Sequence, residues 1–482
     1  MNTRVNDLLK IVNKNISLKY NVVPKAIKGD LVIFWTDEFN QNTDSALRLL
    51  LGRDVSFDLC EKSQLNDFRQ RVYSKPDISS VESILGELSQ ISSVSEGDHR
   101  DNSDSKIARL LNKIIEYAVS KGASDIHIDS HEKFSLVRIR LDGNLNDLIK
   151  VDKPITRLLV NRIKVLCNLD YTVKNIPQDG RFTYNYGDRK IDIRVAVTPT
   201  IYSEKIVLRI LNREVVDFTR EGIGLKGEQG RLVDKLIRQP NGLILSVGPT
   251  GSGKSTTLIT LLKEIKNPDI NIVTIEDPVE YRVEGINQIE INEKSGLDFN
   301  LGLKSILRLD PDKIMVGEIR DAQTAETALR ASITGHLVLS TLHTNDSPSA
   351  IYRLRDMGVE NYLISAGVIG IISQRLVRKL CDCKIKERRY VDVFGKNMDI
   401  YRPGSCEKCN NGYRGRVAVY EVLIINDELR EAINNGVPLA DFKKLCLKSG
   451  MISLKYSMEE LLENGITSLE EVYKNIVTIG EI

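Results

Sequence analysis

Residues 241–256 read NGLILSVGPTGSGKST, and a chain carrying this stretch is committed to a parallel sheet with a phosphate at its edge. Leu243, Ile244 and Leu245 form the short apolar run a buried parallel strand needs. Gly248-x4-Gly253-Lys254-Ser255 then turns the chain into a helix. Gly248, Gly251 and Gly253 let backbone N–H groups approach anionic oxygens more closely than any Cβ would allow. Pro249, Thr250, Ser252 and Thr256 complete the loop, and the helix starting near Lys254 aims its positive end at the same point. Lys254 is suited to hold the β- and γ-phosphates of ATP, and the Ser255 hydroxyl to ligate Mg²⁺. A plain glycine-rich turn would not need every fixed position of this motif, and all are met here.

The rest of the chain supplies several domains around that loop. Its 482 residues exceed one core, and about three domains follow from typical domain size. The 68 basic and 66 acidic residues nearly cancel, so no global field favours nucleic acid or an anionic membrane. No apolar run reaches the roughly 18 residues of a spanning helix, and Arg4, Asp7 and Lys10 interrupt the N-terminal apolar residues where a signal peptide would be continuous. A cytoplasmic protein is expected. Seven cysteines are too sparse for a disulfide scaffold, and Cys381, Cys383, Cys406 and Cys409 pair off in a way that points to metal rather than oxidation.

Read in order, residues 1–75 contain a strand-like LVIFW at 31–35 and a helical run around 47–51, a small α/β module without chemistry. Serines and acids dominate 89–105, so 76–105 is expected to be a flexible linker. Ile107, Leu110, Leu111, Ile114, Ile115 and Ala118 then recur at helical spacing. Alternating strands follow around Ile126, Val137 and Ile191, giving an α+β domain over 106–220. From 221 to 482, apolar runs at 272–275, 314–316 and 337–339 alternate with helical segments, the order of a doubly wound α/β sheet with its ligand at the strands' C-terminal ends.

Three polar constellations follow those strands. Glu276, Asp277 and Glu280 crowd three carboxylates into five residues, which is costly without a cation or a task. Glu318 ends an apolar strand in the Walker-B layout, with Glu replacing the usual Asp, where it can support Mg²⁺ or orient the attacking water. His336 and His343 bracket one strand and are candidates to report on the γ-phosphate.

The run from Gly248 to Asp346 resembles the secretion ATPases of bacterial type II secretion and type IV pilus systems, with their Walker A, aspartate box, unusual Walker B and histidine box. ASDIHI at 123–128, VRIRLDG at 137–143 and PQDGR at 177–181 resemble the family's second N-terminal domain. GYRGR at 412–416 and GITS at 465–468 resemble its C-terminal end. The resemblance implies a RecA-like ATPase domain preceded by an α+β domain and a small docking module. It also implies a homohexamer that hydrolyses ATP with Mg²⁺ and drives an inner-membrane platform protein to build a pilus or pseudopilus. Residues 1–75 would dock on the cytoplasmic domain of a bitopic membrane protein, which holds the motor at the inner membrane. Arg194 and Arg209, mid-strand between apolar neighbours, match family arginines that close over the nucleotide. Four cysteines match a zinc knuckle within 381–409.

Departures accompany these matches. Lys304 stands where the family has arginine, which keeps the charge but not the bidentate fork, and Leu309 replaces a glutamine. The first cysteine pair, Cys381-Asp382-Cys383, is one residue short of C-x-x-C. Four thiolates still permit tetrahedral Zn²⁺, the alternative being a loop whose thiols hold no metal. A retraction ATPase would be expected to lack the N-terminal module and the cysteines, and a non-hydrolysing scaffold to lack Glu318. A DNA-translocating motor should show a basic channel, and no nucleic-acid partner is expected. The length of the N-terminal module favours type II secretion over pilus assembly, by analogy alone.

Overall fold

The apolar runs resolve into four sheets in the structure, a computed structural model that describes residues 12, 14–28, 31–62, 64–65, 78–91, 100–187, 189–211, 217–406 and 409–479. The chain divides into two compact units, residues 1–212 and 213–482.

In the first unit, β1 (Val22–Lys28) pairs antiparallel with β2 (Leu31–Thr36), which pairs parallel with β3 (Asp54–Leu59). The crossover between β2 and β3 is the helix Gln41–Leu51, opened by Asn40, whose side chain accepts from the Asn42 N–H, and closed by Gly52 at φ 62°. Val22, Val32, Phe34, Leu47 and Val55 form its small core. Both the LVIFW strand and the helix around Leu47 lie where the sequence places them.

The expected linker over 76–105 is helical in part. Helix Ile78–Ile91 buries Val81, Ile84 and Leu88 at helical spacing, against the same core as Leu110 and Ile114 of the helix Arg100–Ser120. The linker expectation rested on serine and acid content from Ser89 on, which carries no information about the apolar stripe before it. Residues 92–99 lie outside the described residues.

The α+β domain is an antiparallel sheet of β4 (Asp125–Ser130), β5 (Phe134–Leu141), β6 (Asn144–Asp152), β7 (Gln178–Tyr186), β8 (Arg189–Pro199) and β9 (Glu204–Leu211), in the order β6-β5-β4-β9-β8-β7. Strand alternation turns Ile126, Val137, Ile193, Val195 and Leu208 into a core shared with Leu159 and Ile163 of the helix Lys153–Leu166. The intervening residues of the same strands carry charge on the other face.

The second unit holds β10 (Gly242–Val247), β11 (Ile272–Glu276), β12 (Asn287–Glu290), β13 (Lys313–Val316), β14 (Leu337–Leu342) and β15 (Val368–Leu380). It continues with the antiparallel hairpin β16 (Ile385–Val391) and β17 (Lys396–Arg402), then β18 (Tyr413–Ile424). The main sheet runs β12-β11-β13-β14-β10-β15-β18, parallel throughout except for the last pair. Strands β10, β11 and β14 are buried along their whole length, as a sheet covered on both faces requires. Leu243, Leu245 and Val247 pack into one core with Leu303, Ala328 and Leu329; Ile244 packs into the other with Leu258, Leu261 and Leu262. This is the RecA-like architecture expected for the P-loop domain.

Candidate active site

Parallel register gathers the chemistry at one edge. Val247 at the end of β10 lies opposite Leu342 of β14, and Ile275 of β11 lies opposite Val316 of β13. Residues 248–253, Glu276, Glu318 and His343 therefore leave the sheet on the same side, the C-terminal side where doubly wound sheets bind ligands. Gly248 (φ 148°) and Gly253 (φ 91°) occupy backbone conformations that disfavour side chains, and Gly253 caps the helix Lys254–Ile265 that carries Ser255 and Thr256 on its first turn. A Cβ at Gly248 would stand 2.6 Å from the Gln374 carbonyl, so close approach as well as φ requires glycine there. The loop is a cradle of backbone N–H groups at a helix N-terminus, which fits a polyphosphate.

Lys254 is buried, and its Nζ donates to Gly248 O at 2.9 Å and Pro249 O at 3.1 Å. Burial pushes the ammonium down to about 8, with Glu318 and Glu280 pulling it up and Arg375 pushing it down. Only the protonated lysine attracts phosphate. Below that pKa the group is already charged and contributes no pH dependence; above it, each binding event must take up a proton. Affinity for a fluorescent ATP analogue is therefore expected to fall, by up to about tenfold per pH unit, above about pH 8. A flat titration series to about pH 9.5 would contradict this lysine assignment.

The acids are tied together. Glu276 is buried at the end of β11, its Oε1 accepting from Thr274 Oγ1 at 2.7 Å and Gln288 Nε2 at 2.9 Å, and burial raises its pKa above the ordinary carboxylate value. Arg320 bonds Glu318 and lies 3.5 Å from Asp277 Oδ2, so one guanidinium spans the second strand-end acid and the aspartate box. His343 Nε2 is 3.7 Å from Glu318 Oε2. Burial first, and then Lys254 and Arg320, lower the His343 pKa against the pull of Glu318, which leaves the imidazole neutral at physiological pH.

His336 does not join this group within its own chain. It precedes Leu337, which lies opposite Gly242 at the start of β10, and its Nδ1 lies 3.0 Å from Ala331 O. Six residues of strand put it about 20 Å from the P-loop edge. A strand bracketed by two histidines necessarily sends them to opposite edges, and only His343 reaches the phosphate side.

Arg194 and Arg209 lie in the first unit, on the charged face of the six-stranded sheet. Register aligns Arg181 of β7 with Arg194, Arg194 with Arg209, Arg209 with Asp125, and Asp125 with Arg140. Four arginines and one aspartate thus form a row across five strands. Asp125 anchors two of them, Arg209 Nε at 3.2 Å and Arg140 Nε at 3.5 Å, while the Arg209 side chain stays 66% exposed. Asp179, Arg181, Arg194, Val207 and Arg209 line a recess of about 500 Å³. Sequence reasoning found two of the four arginines; the others appear only once pairing register is known.

Cys381, Cys383, Cys406 and Cys409 converge with all Sγ atoms within 4.8 Å of one another. The separations 381–406 and 383–409 are 3.7 Å and 406–409 is 3.5 Å. Thiolates around Zn²⁺ at about 2.3 Å stand about 3.8 Å apart, so the four donors fit a tetrahedral zinc despite the short first pair.

Residues 100–474 match the protein-family model described as type II/IV secretion system protein. The chain is 43% identical to the type II secretion system protein E of Dickeya dadantii, over 77% of this chain and 76% of that protein. It is 37% identical to the type IV pilus assembly ATPase PilB of Myxococcus xanthus, over 97% of this chain and 86% of the relative. Among solved structures, the pilus retraction motor PilT with bound ADP superposes at a TM-score of 0.53 with 30% identity, covering 76% of this chain and 96% of PilT. The Legionella pneumophila ATPase DotB, at TM-score 0.59 and 22% identity over 77% of this chain and 95% of its own, shares the fold.

Proposed function

The chain belongs to the type II/IV secretion system protein family, and from that premise we propose that it is a Mg²⁺-dependent ATPase motor powering pseudopilus assembly in type II protein secretion. The observation that carries this reading is the convergence of a P-loop, the buried Lys254, Glu276 and the Glu318–His343 pair on one edge of a RecA-like sheet. The 248–253 cradle and Lys254 bind the phosphates, and Ser255 would hold Mg²⁺. When bound, that ion neutralises charge on the β- and γ-oxygens. Glu318 orients a water for attack on the γ-phosphorus, the bond to the β-phosphate oxygen breaks, and ADP and phosphate leave. Arg194 and Arg209 supply positive charge to the same oxygens when the arginine face closes on the nucleotide, of their own or a neighbouring subunit. The working form is a homohexamer at the cytoplasmic side of the inner membrane, tethered by residues 1–75 and pushing on a platform protein. No helix among the described residues is long and apolar enough to cross a membrane.

Steady-state phosphate release from the full chain, with Mg²⁺ and with chelator, tests the enzyme. Turnover without divalent metal would overturn the Mg²⁺ assignment, and none under either condition would overturn the ATPase. Similarity to a pilus assembly ATPase over nearly the entire chain supports a second reading, pilus extension. The two separate in a strain lacking the chain: the first expects loss of secreted protein, the second loss of surface pili.

The cysteine cluster is expected to hold about one zinc per chain in a structural role, because four thiolates leave no open position. Elemental analysis of protein purified without added metal checks this. Folded, active, metal-free protein would show that the thiols have lost the site.

A further inference from the structure

Strand β15 touches both sides of the phosphate edge, through two residues to which neither the motifs nor the family match assigns a role. Gln374 packs under the P-loop. Its Nε2 donates to Ser252 O at 2.6 Å, and its Oε1 lies 3.5 Å from Ser246 Oγ. A Cβ at Gly253 would stand 2.9 Å from Gln374 Nε2, and one at Gly248 would stand 2.6 Å from Gln374 O. Two of the motif glycines are thus small partly because Gln374 fills the space beneath them. The adjacent Arg375 is buried to 2% exposure, an expensive place for a guanidinium unless its donors are used. Its Nη1 donates to Gln374 O at 3.1 Å and its Nη2 to Asn345 O at 2.6 Å, while its buried Nε finds no hydrogen-bond partner among the described residues. Asn345 lies two residues beyond His343, the histidine that faces Glu318. The contacts therefore run from Ser252 in the P-loop through Gln374 and Arg375 to the loop that follows β14.

We propose that Gln374 and Arg375 are positioning residues for ATP hydrolysis: Gln374 holds the P-loop in its phosphate-binding shape, and Arg375 holds the 343–346 loop at a set distance from it. The inference rests on the ATPase reading above. The two residues have separable consequences. Gln374 braces the groups that bind phosphate in ATP and ADP alike, so its loss acts on affinity. Arg375 braces the loop carrying His343, which faces the water-positioning acid, so its loss acts on turnover. A lysine at 375 keeps the charge but lacks the planar fork that reaches two carbonyls at once.

The test uses the full chain and three substitutions, measuring ADP affinity with a fluorescent analogue and phosphate release at saturating ATP. Gln374→Glu replaces the amide that donates to the Ser252 carbonyl with a carboxylate of the same shape. It is expected to raise the Kd for ADP and the KM for ATP at least ~10-fold, with a smaller effect on kcat. Arg375→Lys is expected to lower kcat at least ~10-fold with ADP affinity within about 3-fold of the parent. Arg375→Gln, which can still donate to one carbonyl, should fall in the same direction. The proposal is overturned if Gln374→Glu binds ADP normally or if Arg375→Lys turns over normally. It is also overturned if neither Arg375 variant folds by thermal denaturation, since the residue would then be a strut of the core. Absence of turnover in the parent protein would instead overturn the ATPase reading, so the two failures are distinguishable.

Discussion

Lys254→Ala is expected to abolish nucleotide binding, while Glu318→Gln keeps binding and stops turnover. The lysine is the only cation seated inside the P-loop among the described residues, with its Nζ held between two loop carbonyls. Truncation removes the charge that meets the phosphates and leaves the Gly248 and Pro249 carbonyls facing an anion. Glu318 is different in kind. It sits at the end of β13, bonded to Arg320 and near His343, outside the cradle. An amide keeps its shape and much of its hydrogen bonding but cannot serve as the anion that draws a water proton, so the loss falls on the chemical step, by about 10²-fold or more. Titration of a fluorescent ATP analogue into both variants, followed by phosphate release, separates the roles. Normal turnover in Glu318→Gln would move the water-positioning role elsewhere, Glu276 being the next acid at that edge.

Arg209→Ala should lower kcat at least ~10-fold with little change in ADP affinity, and Arg194→Ala should act in the same direction. Arg209 is held by Asp125 along one edge yet remains mostly exposed, so its remaining donors are available to a ligand. It stands in a row with Arg181, Arg194 and Arg140, where four guanidiniums outnumber Asp125 of the row and Asp179 of the adjoining recess and leave a face that favours anions. A solvated arginine face is the competing account, and an exposed arginine in that role contributes nothing to kcat. A γ-phosphate clamp is needed only when three phosphates are present, which is why ADP affinity should barely move. Unchanged kcat in a folded, normally oligomeric Arg209→Ala protein would return the residue to solvent.

Local spacing carried much of this molecule. Gly248, Gly253, Lys254 and Ser255 declare a phosphate loop because backbone approach and helix-end polarity are set within eight residues. The continuous apolar runs of β10, β11 and β14 declare a sheet covered on both faces because each residue in them must be buried. The convergence of the cysteine quartet was also legible, since its four thiols fall into two closely spaced pairs. Tertiary structure decided what depends on which strand lies beside which. It sent His343 to the phosphate edge and His336 to the far one, because a parallel strand has two ends and sequence does not say which is occupied. It added Arg181 and Arg140 to the arginine row through pairing register alone, and turned part of the expected linker into a packed helix. It also brought Gln374 against Ser252, 122 residues away in sequence. No local pattern records such a contact, because the force that selects it is the packing of β15 against β10, which forms only when the whole sheet does.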